Sequence, residues 1–286
     1  MATFKSLNES ETVDGKYSGR KRIYLESDDD LAIFQRWFFD EGEFIEFLSS
    51  KEDESGGCTK VRRAVDKDRN MGIPSFGIVD RDALLRECLW KVFWENDDQA
   101  YQAARPFGEY IRPLSRWEIE NYLLNPKVIY ALLVDYGKYS PDGIDKELLA
   151  NSLLNQSNNL VPVTAANICL HIAGEKALAP EFVSQENDRT EIDKKCVEHL
   201  QNNKVECEFE EVKTQILSFS NGDDTTGQYW CLSRIIDGKR LIVRIKKEFK
   251  LKEDHRYNLA KMIKEYNVVS SEIKLLIEEI KAVTSS

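Results

Sequence analysis

Two short acidic runs carry the chemistry in this 286-residue sequence. In RKRIYLESDDD, the apolar residues Ile23, Tyr24 and Leu25 lead into Glu26, Asp28, Asp29 and Asp30. In IPSFGIVDRD, Phe76, Ile78 and Val79 lead into Asp80 and Asp82. Each run reads as a buried strand that stops on a carboxylate. In a parallel α/β sheet the carboxyl ends of the strands are where ligands bind. Two neighbouring strands ending this way gather several carboxylates, and like charges so close repel unless a cation lies between them. Oxygen-only ligands of this kind suit Mg²⁺ or Mn²⁺. The expectation is a divalent-metal site acting on phosphate esters. The competing reading of Asp80 and Asp82 is a pair of solvated turn aspartates.

Further candidates flank these runs. Asp30 lies four residues after Glu26 and either folds back toward the strand end or serves the helix dipole; Asp28 and Asp29 read as capping residues. Ser115-Arg-Trp-Glu118 fits a capping box, which explains Glu118 without a metal. Glu120 has no such explanation and ranks higher as a ligand or base. Lys239 follows Gly238 at the head of a basic strip, Gly238–Lys252, and either stabilises a transferring phosphoryl group or lies on a solvated face. Cys196, His199 and Cys207 invite a zinc reading, but their spacing lacks the close pairs of zinc sites. No GxxxxGK[ST] or GxSxG motif occurs, which argues against P-loop and acyl chemistry.

The elements that must position these groups alternate. Strands are expected at 20–26, 44–48, 74–79 and 110–113, and helices at 28–39, 59–69, 83–93 and 128–134. This alternation predicts a mainly parallel sheet with helices on both faces. Residues 1–19 read as a polar arm and 20–139 as the catalytic domain. A turn cluster at Ser140-Pro141-Asp142-Gly143 marks a boundary, and 140–286 reads as mostly helical. Its last segment is strongly amphipathic, with a break near Asn267–Ser271.

Apolar residues make up 42 % and charged residues 31 % of the chain, as in ordinary globular proteins. No apolar run reaches membrane-spanning length, and the polar N-terminus lacks a signal-peptide core. Six scattered cysteines fit free thiols in a cytoplasm. The net charge of −10 argues against bulk electrostatic coating of nucleic acid. It leaves room for a nuclease whose acidic site is served by local basic strips.

The glutamate closing strand one, the DxD closing a later strand and the downstream acidic segment resemble a toprim domain, the metal-binding module of topoisomerases, primases and OLD nucleases. YLESDDD, GIVDRD and EIENYLL are most similar to the DUF4435 branch of OLD-like toprim nucleases, and in particular to the toprim effectors of PARIS-type anti-phage defence systems. The resemblance covers residues 20–124, together with the Gly238-Lys239 dipeptide. Ser27 stands where a glycine usually follows the toprim glutamate, which points toward a nuclease more than a topoisomerase or primase.

The resemblance implies that Glu26, Asp80 and Asp82 bind Mg²⁺, that Asp30 fills the second acidic position, that Glu118 or Glu120 completes the site, and that Lys239 matches the OLD-type lysine. It implies a toxic endoribonuclease, held inactive by a partner ABC-type ATPase and released by a phage-encoded trigger, that dimerises and cleaves host tRNA. On this reading the basic strip and Arg62, Arg63 and Arg69 steer the RNA, and Glu120 or Glu26 acts as general base. Two alternatives remain open: a haloacid-dehalogenase-like phosphatase, and a non-catalytic adaptor that docks on the ATPase.

Overall fold

Four parallel strands carry the acidic runs. The computed structural model describes residues 19–50, 57–140, 146–252 and 254–283. The expected arm before Gly19, the Ser55-Gly56 turn and most of the turn cluster at 140–143 lie outside those residues. β1 (Lys21–Leu25), β2 (Ile45–Ser49), β3 (Ser75–Val79) and β4 (Ile111–Pro113) stand in the order β2-β1-β3-β4. All neighbours run parallel, with Ile23 opposite Phe47 on one side and Phe76 on the other. Parallel neighbours need long crossovers. Helix Asp28–Trp37 provides the first and Gly57–Asn70 the second. Asp82–Arg86, Trp90–Phe93 and Asp98–Ala104 lie in the third.

Strand alternation sorts the side chains between two faces. Ile23, Leu25, Ile45, Phe47, Phe76 and Ile78 join Ile33, Phe34 and Trp37 in the large core. Val79 and Ile111 belong to a smaller cluster with Cys58, Val61 and Val65 of the Gly57–Asn70 helix. The predicted α/β architecture, a parallel sheet flanked by helices with a helical C-terminal region, is the one observed.

After β4 come Glu120–Leu123 and Pro126–Asp135, then a 27-residue helix, Lys146–Ile172. That helix is about 40 Å long. Helices Arg189–Asn202, Phe209–Leu217, Thr225–Leu232 and Gly238–Glu248 pack along it. The last two helices, Arg256–Glu265 and Ser271–Ala282, return to the first layer. Trp37 Nε1 donates to the Ala260 carbonyl at 3.1 Å, and Lys264 pairs with Asp40 at 2.8 Å. One hydrophobic core runs from Ile23 to Ile280, so the segments on either side of residue 140 share an interior.

Three local features differ from expectation. The helix expected over 83–93 is two short ones, because Cys88 adopts a left-handed φ of 54° that ends the first. The polar stretch at 96–104 holds a helix, capped by Asp97, whose carboxylate accepts the Ala100 N–H at 2.8 Å. Cys169 and Cys207, expected as free thiols, form a disulfide. The expected break in the last segment is present, with Asn267 at φ 54°. Among the described residues no helix is long and apolar enough to cross a membrane.

Candidate metal centre

Glu26 follows β1 and Asp80 follows β3, its neighbour. Tyr24 lies opposite Gly77, so the same register carried forward sets Glu26 level with Val79. The Asp80 backbone N–H donates to Glu26 Oε1 at 3.0 Å, tying the two strand ends together. Asp82 opens the next helical turn. Carboxylate oxygens of Glu26, Asp80 and Asp82 all lie within 4.8 Å of one another. Opposite ligands of an octahedral Mg²⁺ are about 4 Å apart, so the triad needs only small adjustment to hold one. Gly57 passes directly against Glu26: a Cβ there would lie 2.2 Å from Oε2.

The electrostatics fit a cation. Burial, reinforced by Asp82, pushes the Glu26 carboxyl up to about 7. Burial also raises Asp80 well above the usual range, reinforced by Glu26, Asp30, Asp82 and Glu118 in that order. Asp30 is pushed up to about 6 by burial, with Glu120 adding to the effect. These carboxylates therefore share one negative field. Arg86 answers part of it, 2.5 Å from Asp82 and 3.5 Å from Glu26. Oxygen donors, mutual repulsion and spacing all suit Mg²⁺ or Mn²⁺.

Arg81, between the two aspartates, has a structural role. Its side chain is fully buried and donates to the carbonyls of Ser115 at 2.7 Å, Phe93 at 2.8 Å and Glu95 at 2.6 Å. The guanidinium also lies 4.4 Å from the Tyr101 ring centroid. It thus fastens the end of β3 to the segment leaving β4, which carries Glu118 and Glu120.

Glu118 and Glu120 stand beside the triad rather than in it. Glu118 does not cap Ser115. Its Oε1 accepts the Lys239 backbone N–H at 2.6 Å and its Oε2 accepts Lys239 Nζ at 2.7 Å. The Ser115 N–H and hydroxyl instead go to Glu272, at 2.8 and 2.5 Å. Burial opposes the Lys239 charge, but Glu118 and then Glu120 hold the ammonium above its usual range. Burial and Asp237 raise the Glu118 carboxyl. Glu120 is 1 % exposed, with Oε1 3.3 Å from Arg256 and Oε2 3.9 Å from Lys239; Oε2 receives no hydrogen bond from the described residues. Asn121 locks this edge by donating to the Ile236 carbonyl and accepting the Glu118 N–H. Gly238 must be glycine here, because a Cβ would lie 2.6 Å from Asn121 Oδ1.

Asp28 and Asp29 are not the caps. Ser27 is the N-cap, accepting the Asp30 N–H at 3.1 Å. Asp28 accepts the Ser49 hydroxyl, and Asp29 pairs with Arg256 at 2.9 Å. The basic strip divides between two faces: Lys239, Lys247, Lys250 and Lys252 are exposed, whereas its two arginines turn inward. Arg240 and Arg244 are buried and hold carbonyls of the segment 178–186. Arg62 lies 3.6 Å from Glu87. The zinc grouping does not form, since Cys207 is bonded to Cys169.

Sequence reasoning missed Arg86, Arg256, Asn121 and Glu272. Only Arg86 left a signal, four residues after Asp82 on one helix. No family model matches this chain, and no curated protein matches it.

Proposed function

We propose that this chain is a Mg²⁺- or Mn²⁺-dependent phosphodiesterase that cleaves RNA. The observation that carries the reading is the convergence of Glu26, Asp80 and Asp82 from adjacent strand ends. These three residues would hold the cation, which when bound supplies Lewis-acid polarisation of a phosphoryl oxygen and a water nucleophile at neutral pH.

The remaining groups belong to the protein. Lys239 Nζ, anchored on Glu118 yet 61 % exposed in its side chain, meets charge on the scissile phosphate. Glu120 Oε2, without a hydrogen bond among the described residues, accepts the proton of the attacking water. Arg256, 3.3 Å from Glu120 Oε1, keeps that carboxylate oriented. Asp30 adds negative potential beside Glu120 and deepens the demand for a cation.

The motif resemblance extends the proposal to biology. The substrate is host tRNA, the acting form is a homodimer in the cytoplasm, and an ABC-type ATPase holds the chain inactive until a phage-encoded trigger releases it. The test is expression with and without the ATPase and trigger, followed by sequencing of RNA ends. The purified chain is then incubated with tRNA in Mg²⁺ or EDTA. New tRNA ends that require Mg²⁺ and vanish in Glu26→Gln are the expected result. TRNA left intact by the released wild type, or cut equally by Glu26→Gln, would overturn the proposal.

A further inference from the structure

At the opposite end of the sheet, where the chain enters β3 and β4, lies a cleft of about 430 Å³. Three arginines line it: Arg69, Arg105 and Arg112. Among the described residues none of the three pairs with a carboxylate, although the chain carries a net charge of −10. Other arginines of the same layer do pair: Arg22 with Glu46 and Asp68, Arg62 with Glu87, and Arg86 with Asp82. Glu109 also lines the cleft but forms no ion pair with these arginines, so the cleft keeps an excess of positive charge.

The arginines are prepared for an anionic partner. Arg69 Cζ lies over the Tyr110 ring, 3.3 Å from its centroid, and 4.8 Å from that of Phe76. Its Nε donates to the Ser75 carbonyl at 2.9 Å, which fixes the plane. Its Nη2 is buried and has no hydrogen-bond partner among the described residues. Arg112 Nη1 meets only the backbone carbonyls of Gly108 and Ile111. Burial, and then the neighbouring Arg105 charge, lowers the Arg112 pKa, a cost that a bound anion relieves. A guanidinium held against aromatic rings and flanked by two further arginines is suited to charge-assisted phosphate binding. The cleft volume is within the about 300–1,000 Å³ range of ligand pockets.

We propose that this cleft binds phosphate groups of nucleotide ligands, carried either on an RNA strand or on a free nucleotide. Five strand residues, about 17 Å, separate it from the acidic edge, so it is a second site. The inference does not depend on the acidic edge being catalytic.

The test uses the full chain in EDTA, where metal-dependent cleavage is silent. The probes are a fluorescent 12-nucleotide RNA, AMP and inorganic phosphate. Arg105→Gln/Arg112→Gln is compared with wild type and with Lys194→Gln/Lys261→Gln, which removes the same charge elsewhere. RNA affinity should fall at least about 10-fold in the arginine variant only, with the salt slope reduced by about 1.4 for two lost phosphate contacts to a single strand. Competition by AMP assigns the cleft to a single nucleotide phosphate, whereas RNA binding that AMP does not displace assigns it to the RNA backbone. Equal RNA binding by both double variants, or no binding of any probe by wild type, overturns the proposal. Arg105→Gln alone removes no hydrogen bond, so it repeats the comparison if the double variant unfolds.

Discussion

Lys239 grips Glu118 at two points across 121 residues of chain, with its backbone N–H 2.6 Å from Oε1 and its Nζ 2.7 Å from Oε2. One residue thus satisfies both oxygens of a carboxylate that is 5 % exposed. Removing the ammonium leaves that carboxylate buried with only its backbone donor. Lys239→Met should lower unfolding stability by about 1–2 kcal/mol in urea titrations, the cost of an under-satisfied buried acceptor. Lys239→Arg keeps the charge and should recover part of it. No change in the urea midpoint for Lys239→Met would show that the grip contributes nothing to folding.

The raised Glu26 carboxyl links stability to pH. Its folded pKa is about 7, against an ordinary value of 4.5, so the folded chain keeps a proton that the unfolded chain releases. Stability of the metal-free protein must therefore fall as pH rises from about 4.5 to 7, by up to about 1.4 kcal/mol per pH unit. Asp30, raised to about 6, works in the same direction. Thermal melts in EDTA should show the midpoint dropping between pH 5 and 8, with a shallower drop in Glu26→Gln. A midpoint that climbs over that range contradicts the assignment.

A cation that binds only the folded triad stabilises by mass action. At a concentration about 100 times the dissociation constant, the gain is about 2.7 kcal/mol. Mg²⁺ or Mn²⁺ should raise the melting midpoint of wild type at pH 7.5 and leave Asp80→Asn/Asp82→Asn nearly unmoved. Equal shifts in both proteins would place the cation elsewhere.

Arg81 makes the DxD segment costly to alter even where no ligand is involved. Arg81→Met keeps much of the apolar stem but strips two buried carbonyls and a part-buried one of this donor. The loss should reach about 3 kcal/mol or more, enough to send much of the expressed chain into inclusion bodies. A soluble variant with an unchanged denaturant midpoint would refute this role.

The triad was legible in the sequence because a strand that ends on an acid needs only one further fact, which strands are neighbours, and the parallel pairing of β1 with β3 provides it. Glu118 was misread for a physical reason. Ser115-x-x-Glu118 has the local spacing of a cap, but Ser115 takes its acceptor from Glu272, 157 residues away, and local patterns do not register such partners. The inward turn of the two arginines in the basic strip left a signal, while Lys239, Lys247, Lys250 and Lys252 are exposed. Arg240, Leu241, Arg244 and Ile245 share one helical stripe, and in the structure that stripe is buried. The Cys169–Cys207 pair depends on helix packing across 38 residues and leaves no trace in cysteine spacing.

Glu272 opens the final helix and holds Ser115 and the Tyr122 hydroxyl, the latter at 2.7 Å. The segment bearing Glu118 and Glu120 is thus moored to helix Ser271–Ala282. A chain stopped before Ser271 lacks that mooring, and the same strain reaches the site from any bulky fusion that pries the helix loose.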